Sequence, residues 1–386
     1  MFEYFPTNYT WNMATVWTVN MGGALSEVED ACRSLREASM HNDRASQEKW
    51  FESWKKLADR VNALASAHEE AGQPLSAGRK YHRASLYYLM GERMLPFPHP
   101  QRMEAYQMGL AAFKKALRFR KDPVEWVDVP FDGKSLPAIF SRAPVKGAAP
   151  CMVHFDGFDG VKEFLYFMCA EEFRRRGISV LFVDHPGVGE ALRLRKIYGR
   201  ADTEVPAAAC VDYLETRLDV DANRIGVMGL SLGGYYAPRA AAFEKRFKCC
   251  IAWAANWNFG ERTVLRLVGK GGELAQPDYA NRLMWVFGKE TLEEAVTASK
   301  GLSLEGVAEK IACPLLVVHG ENDRIIPMWE AERTVEQAVN SPHRKLKVFT
   351  FAEGGEDHCQ IDNTYMAVDY MADWVAEILG GHPEGV

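Results

Sequence analysis

The sequence has no apolar run of about 18 residues, the length a helix needs to cross a bilayer, so no membrane contact is expected. Its eight cysteines (Cys32, Cys151, Cys169, Cys210, Cys249, Cys250, Cys313 and Cys359) form no C-x-x-C pair, and several lie in apolar runs. That spacing argues against a disulfide framework and points to reduced thiols. There is no His-x-x-x-His pair and no equivalent carboxylate cluster, so neither a metal nor a cofactor is expected. Positive charge is not in excess. Lys and Arg number 46 against 52 Asp and Glu, a net charge of −6, and no basic field invites nucleic acid. Residues Met1 to Pro6 lack a basic stretch followed by an apolar core, so no secretory signal is read there. These absences leave a cytoplasmic globular protein as the expectation.

With 386 residues, 47% of them hydrophobic, the chain can build one large domain and a smaller one. Residues 1–20 show no clear period and read as an extended arm or a short helix. From Ser26 to about Asn42 the pattern is helical, with Ser26 and Glu29 spaced as a capping box. Between Ser46 and Ala71, Trp50, Trp54, Leu57, Val61 and Leu64 recur in steps of three and four, which places them on one helix face. Helices are also expected from Ser76 to Leu95 and after Pro100, where Tyr106, Leu110, Phe113 and Leu117 align. No segment has a second in-phase copy, so residues 1–122 read as a helical bundle domain rather than a repeat array.

From Val124 the apolar period changes to two. Val124 to Phe131 and Leu136 to Phe140 flank Asp132-Gly133 as a hairpin. Strands then alternate with helices, through Cys151 to Phe155, Ser179 to Asp184, Ile225 to Met228, Cys249 to Ala254, Pro314 to His319 and Lys345 to Phe351. This alternation predicts an α/β domain over residues 123–386, with a mostly parallel sheet and helices on both faces. Residues of about 256–309 break the rhythm and read as a helical insertion. Ligand chemistry belongs at the carboxyl ends of such strands.

One strand end carries Gly229-Leu230-Ser231-Leu232-Gly233-Gly234, which fits the G-x-S-x-G nucleophile elbow. A serine there sits on a strained strand-to-helix turn, and glycines must flank it because side chains would strike neighbouring backbone. A serine nucleophile needs a base, and the base needs an orienting acid, in the chain order serine, acid, histidine. Asp323 follows the strand ending at His319, and His358 lies in the glycine-containing loop after the last strand. Glu321 is the competing acid but lies closer to its strand. Asp357 reads as a surface neighbour, and His319 as a satisfied core histidine. His154 and His185 also follow strands, where a structural role or a substrate contact is open. The oxyanion donors should be the N–H groups of Leu232 and Phe158, the latter in the turn Asp156-Gly157-Phe158. Tyr235, Tyr236, Trp253, Trp257 and Trp285 supply aromatic walls, which suit an aromatic or polyketide-like small molecule and suit plain apolar packing equally.

Three stretches together carry a family resemblance. They are Asp156-Gly157-Phe158-Asp159-Gly160-Val161-Lys162-Glu163, then Asp184-His185-Pro186-Gly187-Val188-Gly189-Glu190, then Asn223 to Gly234. With the N-terminal helical unit, the chain resembles the 2,6-dihydroxypseudooxynicotine hydrolase group of α/β-hydrolases, itself similar to hydrolases that shorten polyketides. The resemblance implies an α/β-hydrolase fold and hydrolysis of a carbon–carbon bond beside a ketone. It also implies substrate held between the helical unit and the hydrolase domain, often in a homodimer. An extra acidic residue beyond the elbow helix belongs to that group. Glu261 is its nearest match here, although the surrounding sequence differs and a surface position fits it better. The expected activity is a serine hydrolase acting on a β-diketone, acyl-arene or polyketide-like substrate. The alternatives are a carboxylesterase or lactonase with the same triad and, more remotely, an inactive hydrolase-fold interaction protein.

Overall fold

The computed structural model describes residues 2–41, 43–267 and 278–382. The described residues fall into two compact units, one made of 2–123 with 278–282, the other of 124–267 with 283–382.

The first unit is helical. Its helices are α1 (Tyr9–Asn20), α2 (Leu25–Cys32), α3 (Arg44–Glu70), α4 (Pro74–Arg93) and α5 (Arg102–Arg120). Asp43 caps α3 by accepting the Ser46 N–H. Along α3, Trp50, Trp54, Leu57, Ala58, Val61 and Ala65 are buried, while Leu64 stays 48% exposed, outside the stripe expected to include it. The Ser26 capping box is not made. The cap residue of α2 is Ala24, without a side-chain bond, which leaves Ser26 inside the first turn. Tertiary contacts set that start. Ala24 donates its N–H to the Tyr87 hydroxyl, which in turn donates to Glu27. Beyond Cys32 the expected long helix becomes two short 3₁₀ turns, Arg33–Leu35 and Ala38–Met40.

The second unit is built on one eight-stranded sheet in the order β1-β2-β4-β3-β5-β6-β7-β8. β1 (Val124–Phe131) and β2 (Lys134–Ser141) form the hairpin, turning through Asp132 and Gly133, both at positive φ. β2 also runs antiparallel to β4. The rest is parallel: β3 (Ala149–Phe155), β4 (Ser179–Val183), β5 (Val220–Leu230), β6 (Cys250–Trp253), β7 (Leu315–Gly320) and β8 (Arg344–Phe349). β3, β4, β6 and β7 are buried throughout, which explains their mostly apolar sequence. The edge strand β8 carries Lys345 and Lys347, charges that discourage further pairing.

Helices link these strands: α6 (Lys162–Arg175), α7 (Gly189–Arg193), α8 (Glu204–Glu215), α9 (Gly233–Phe243), α10 (Phe259–Leu267), α11 (Tyr279–Phe287), α12 (Leu292–Lys300), α13 (Met328–Gln337) and α14 (Thr364–Leu379). Among the described residues no helix is long and apolar enough to cross a membrane. From β3 the chain crosses to β4 on one side, then returns to β5 on the other. The carboxyl ends of β3 and β5 therefore flank a topological switch point, where open α/β sheets form their ligand crevice.

Candidate active site

β5 delivers the chain to Ser231, and α9 carries it away. Ser231 has φ +59, in the left-handed region that L side chains avoid at a cost of about 1 kcal/mol or more. Crowding explains the glycines beside it. A Cβ on Gly229 would lie 2.1 Å from the Gly233 carbonyl oxygen, and one on Gly234 would lie 2.3 Å from that of Ala254. The Ser231 N–H donates to Trp253 at 2.8 Å, which ties the turn to β6. Ser231 keeps part of its surface open.

The loops after β7 and β8 bring two side chains to this serine. His358 Nε2 lies 2.9 Å from Ser231 Oγ, and His358 Nδ1 lies 2.7 Å from Asp323 Oδ2. The Asp323 carboxyl is buried, and its other oxygen accepts the N–H groups of Ile325 and Ile326 at 2.8 and 2.9 Å. Burial alone would raise its pKa. The facing His358, through charge and a hydrogen bond, outweighs burial with help from His319 and the Ile326 N–H, and the carboxyl stays below its ordinary value. Glu321, the competing acid, is exposed and accepts the Phe351 N–H instead. Asp357 is buried rather than a surface neighbour, and it accepts the His358 N–H at 3.0 Å. The loop folds back onto the end of β7, where Asn322 donates to the Glu356 carbonyl at 2.9 Å, and this covers Asp357.

The turn after β3 lies against the elbow. A Cβ on Gly157 would stand 2.8 Å from Ser231 Cβ and 3.2 Å from the Leu232 nitrogen. Only glycine permits that approach. Leu232 is the cap residue of α9, so its N–H belongs to a helix N-terminus, where backbone donors face outward. Phe158 follows Gly157, half-buried, with its ring 5.6 Å from that of Phe259.

The remaining histidines are held elsewhere. His319 Nε2 donates to the Ile326 carbonyl at 2.9 Å. His185 is buried with Nδ1 2.9 Å from the Pro186 oxygen and Nε2 3.2 Å from the Asp156 oxygen, and burial lowers its pKa to about 4. Tyr235 spends its hydroxyl on the carbonyls of Ala201 and Gly301. Among the described residues, no hydrogen bond joins Glu261, Tyr235, Trp257 or His185 to Ser231, Asp323 or His358.

A profile of the prolyl oligopeptidase family matches residues 173–382. A 2,6-dihydropseudooxynicotine hydrolase of Paenarthrobacter nicotinovorans is 30% identical over 340 residues, spanning 87% of this chain and 86% of that protein. The chain belongs to the prolyl oligopeptidase family of α/β-hydrolases. A 20-hydroxy-prefusarin hydrolase of Gibberella moniliformis is 28% identical over 370 residues, spanning 85% of this chain and 87% of that protein. The solved structure of a 2,6-dihydroxy-pseudo-oxynicotine hydrolase superposes with a TM-score of 0.75 at 25% identity, covering 96% of this chain and 97% of that one.

In this α/β-hydrolase the sequence reading missed two features. The first is Glu330, fully buried on α13. Its Oε2 accepts the N–H groups of Trp257 and Asn258 at 2.6 and 3.2 Å, and its Oε1 pairs with Arg262. It therefore holds the loop leaving β6, including the buried Trp257, whose ring faces Arg333. Glu261, by contrast, is exposed in the first turn of α10, with its N–H bonded to Asn258. Helical spacing held a clue, since Glu330 shares the buried face of α13 with Ala331 and Thr334. The second feature is Cys359, fully enclosed at φ +52 with its Sγ 3.4 Å from His358 Nε2. Burial pushes that thiol well above its ordinary pKa, so it faces the imidazole as a neutral group. Nothing in the sequence around Cys359 signals that approach.

Proposed function

We propose that this hydrolase cleaves a carbon–carbon bond beside a ketone, with Ser231 as nucleophile, His358 as base and Asp323 as orienting acid. The observation that carries the serine mechanism is the continuous relay of 2.7 and 2.9 Å from Asp323 through His358 to a serine on a left-handed turn. Ser231 Oγ bonds to the substrate carbonyl carbon while its proton passes to His358 Nε2. The carbonyl oxygen becomes an oxyanion, and the N–H groups of Leu232 and Phe158 stabilise it. Collapse re-forms the carbonyl and breaks the adjacent carbon–carbon bond. The departing carbon leaves with the electron pair, as an enolate or an electron-rich ring, and takes the proton from His358. Water, activated by the same imidazole, then releases the acid from the acyl-enzyme.

Asp323 fixes the imidazole tautomer and balances its charge during both steps. The half-open Phe158 ring, backed by Phe259, offers a flat apolar surface beside the oxyanion site. That surface favours an aromatic or polyketide-like substrate. The activities named for the relatives in Paenarthrobacter and Gibberella support the same class of compound. A panel of β-diketones and acyl-arenes, run beside p-nitrophenyl esters, tests the proposal. Turnover of the diketones to an acid and a ketone supports it. Fast ester hydrolysis with inert diketones and acyl-arenes assigns the protein as an esterase instead.

A further inference from the structure

Phe158 stands between two buried carboxylates. Asp156 closes the turn on itself, accepting the Gly157 N–H at 2.6 Å and the Val161 N–H at 2.8 Å. Asp159 follows Phe158 directly, with φ +54 and only 1% exposure. Its carboxylate meets Arg193 Nη2 at 2.7 Å, and neither side chain reaches solvent. Arg193 ends α7, and its guanidinium lies 5.2 Å from the Trp285 ring of α11.

α7 is fastened to the same turn from its other end. Gly189 donates its N–H to the Gly160 carbonyl at 2.9 Å. Asp184 gathers the Glu190 N–H at 2.8 Å, the Lys162 N–H at 2.9 Å and the Lys162 ammonium at 2.6 Å.

Stability does not explain this arrangement. A fully buried ion pair is about neutral against a well-packed apolar pair, and a left-handed aspartate costs roughly 1 kcal/mol. The pair does fix the backbone immediately after Phe158. An oxyanion donor must stand within about 2.7 to 3.1 Å of where the charge forms, so a turn free to relax would lose most of its effect. We propose that the Arg193–Asp159 pair is a positioning device that clamps the turn and aims the Phe158 N–H at the oxyanion. This inference rests on the reading of Ser231 as nucleophile and Phe158 as donor.

The test uses the full chain and a fluorophosphonate. Ser231 Oγ bonds to phosphorus, fluoride leaves, His358 takes the serine proton, and the phosphoryl oxygen occupies the oxyanion site. The double variant D159N/R193M removes both charges together, so no unpaired ion is left buried. It should keep the wild-type urea midpoint yet label about 10- to 100-fold more slowly, less than the roughly 10²- to 10³-fold that outright loss of one oxyanion donor costs, because the donor is misaimed rather than removed. The pH of half-maximal labelling should not move, because the base is untouched; a merely structural loss would disturb both. R193K, which keeps the charge, should fall between the two. A folded double variant that labels at the wild-type rate overturns the proposal. If the double variant does not fold, R193K labelling at the wild-type rate overturns it equally. A folded wild type that does not label at Ser231 brings down the nucleophile reading, and the proposal with it.

Discussion

Two neighbouring strand ends in the hydrolase unit are held in different ways. The turn after β5 is shaped by its own glycines and serine, and tied to β6 through Trp253. Gly229 and Gly234 leave room that any side chain would fill, and Ser231 takes the left-handed bend between them. The loop after β6 is held from a distance. Glu330, contributed by α13, grips Trp257, Asn258 and Arg262. A turn set by local sterics can be read from adjacent residues. A loop set by a remote carboxylate cannot, because nothing near it in sequence names its partner.

The largest expected effect lies on the locally held side. Ser231→Ala should lower kcat/KM by about 10⁴-fold or more while leaving the urea midpoint unchanged. Next comes Asp323, the proposed orienting acid. Asp323→Asn should cost about 10³- to 10⁴-fold in kcat through the wrong imidazole tautomer, whereas Glu321→Gln should stay within about twofold. The reverse ranking would reassign the triad.

The remote clamp should matter less to chemistry and more to stability. Glu330→Gln removes the charge facing Arg262 and should lower unfolding free energy by about 1 to 3 kcal/mol by urea titration. Glu261→Gln, at an exposed position, should change it by less than about 0.5 kcal/mol. Equal effects from the two glutamates would erase the distinction drawn between these loops.

An effect confined to acid pH belongs to His154 on β3, which lies between Phe182 and Trp253, with neither ring nitrogen hydrogen-bonded among the described residues. Burial lowers its pKa from 6.5 to about 3. As pH falls through 6.5 the unfolded chain takes up a proton that the folded chain refuses. The folded state therefore loses stability on acidification, by on the order of 3 kcal/mol at about pH 4. His154→Phe should remove this loss, raising the urea midpoint at about pH 4.5 and leaving it nearly unchanged at about pH 8. Parallel midpoints at both pH values would contradict it.

Most strands and helices were legible because their periods are local. The alternation of apolar runs with helical patterns announced the parallel sheet, and Gly229 to Gly234 announced the elbow. Asp323 and His358 were legible for a related reason: each follows a strand, and parallel topology gathers strand ends at one edge. Where the sequence misled, tertiary contacts had overruled local signals. Ser26 looked like a cap, but Tyr87 fixed the helix start two residues earlier than a Ser26 cap would place it. Asp357 looked exposed until the fold-back of its loop onto β7 covered it. Cys359 was invisible as a neighbour of His358 because it sits at positive φ, which the sequence does not announce at a cysteine.

The central claim is that Ser231 is the nucleophile, activated by His358. Peptide mapping after fluorophosphonate treatment tests it most directly. The account predicts a single phosphonyl adduct, on Ser231, which disappears in a folded His358→Ala variant. A folded wild-type protein that carries no adduct, or carries it on another residue, would contradict the account.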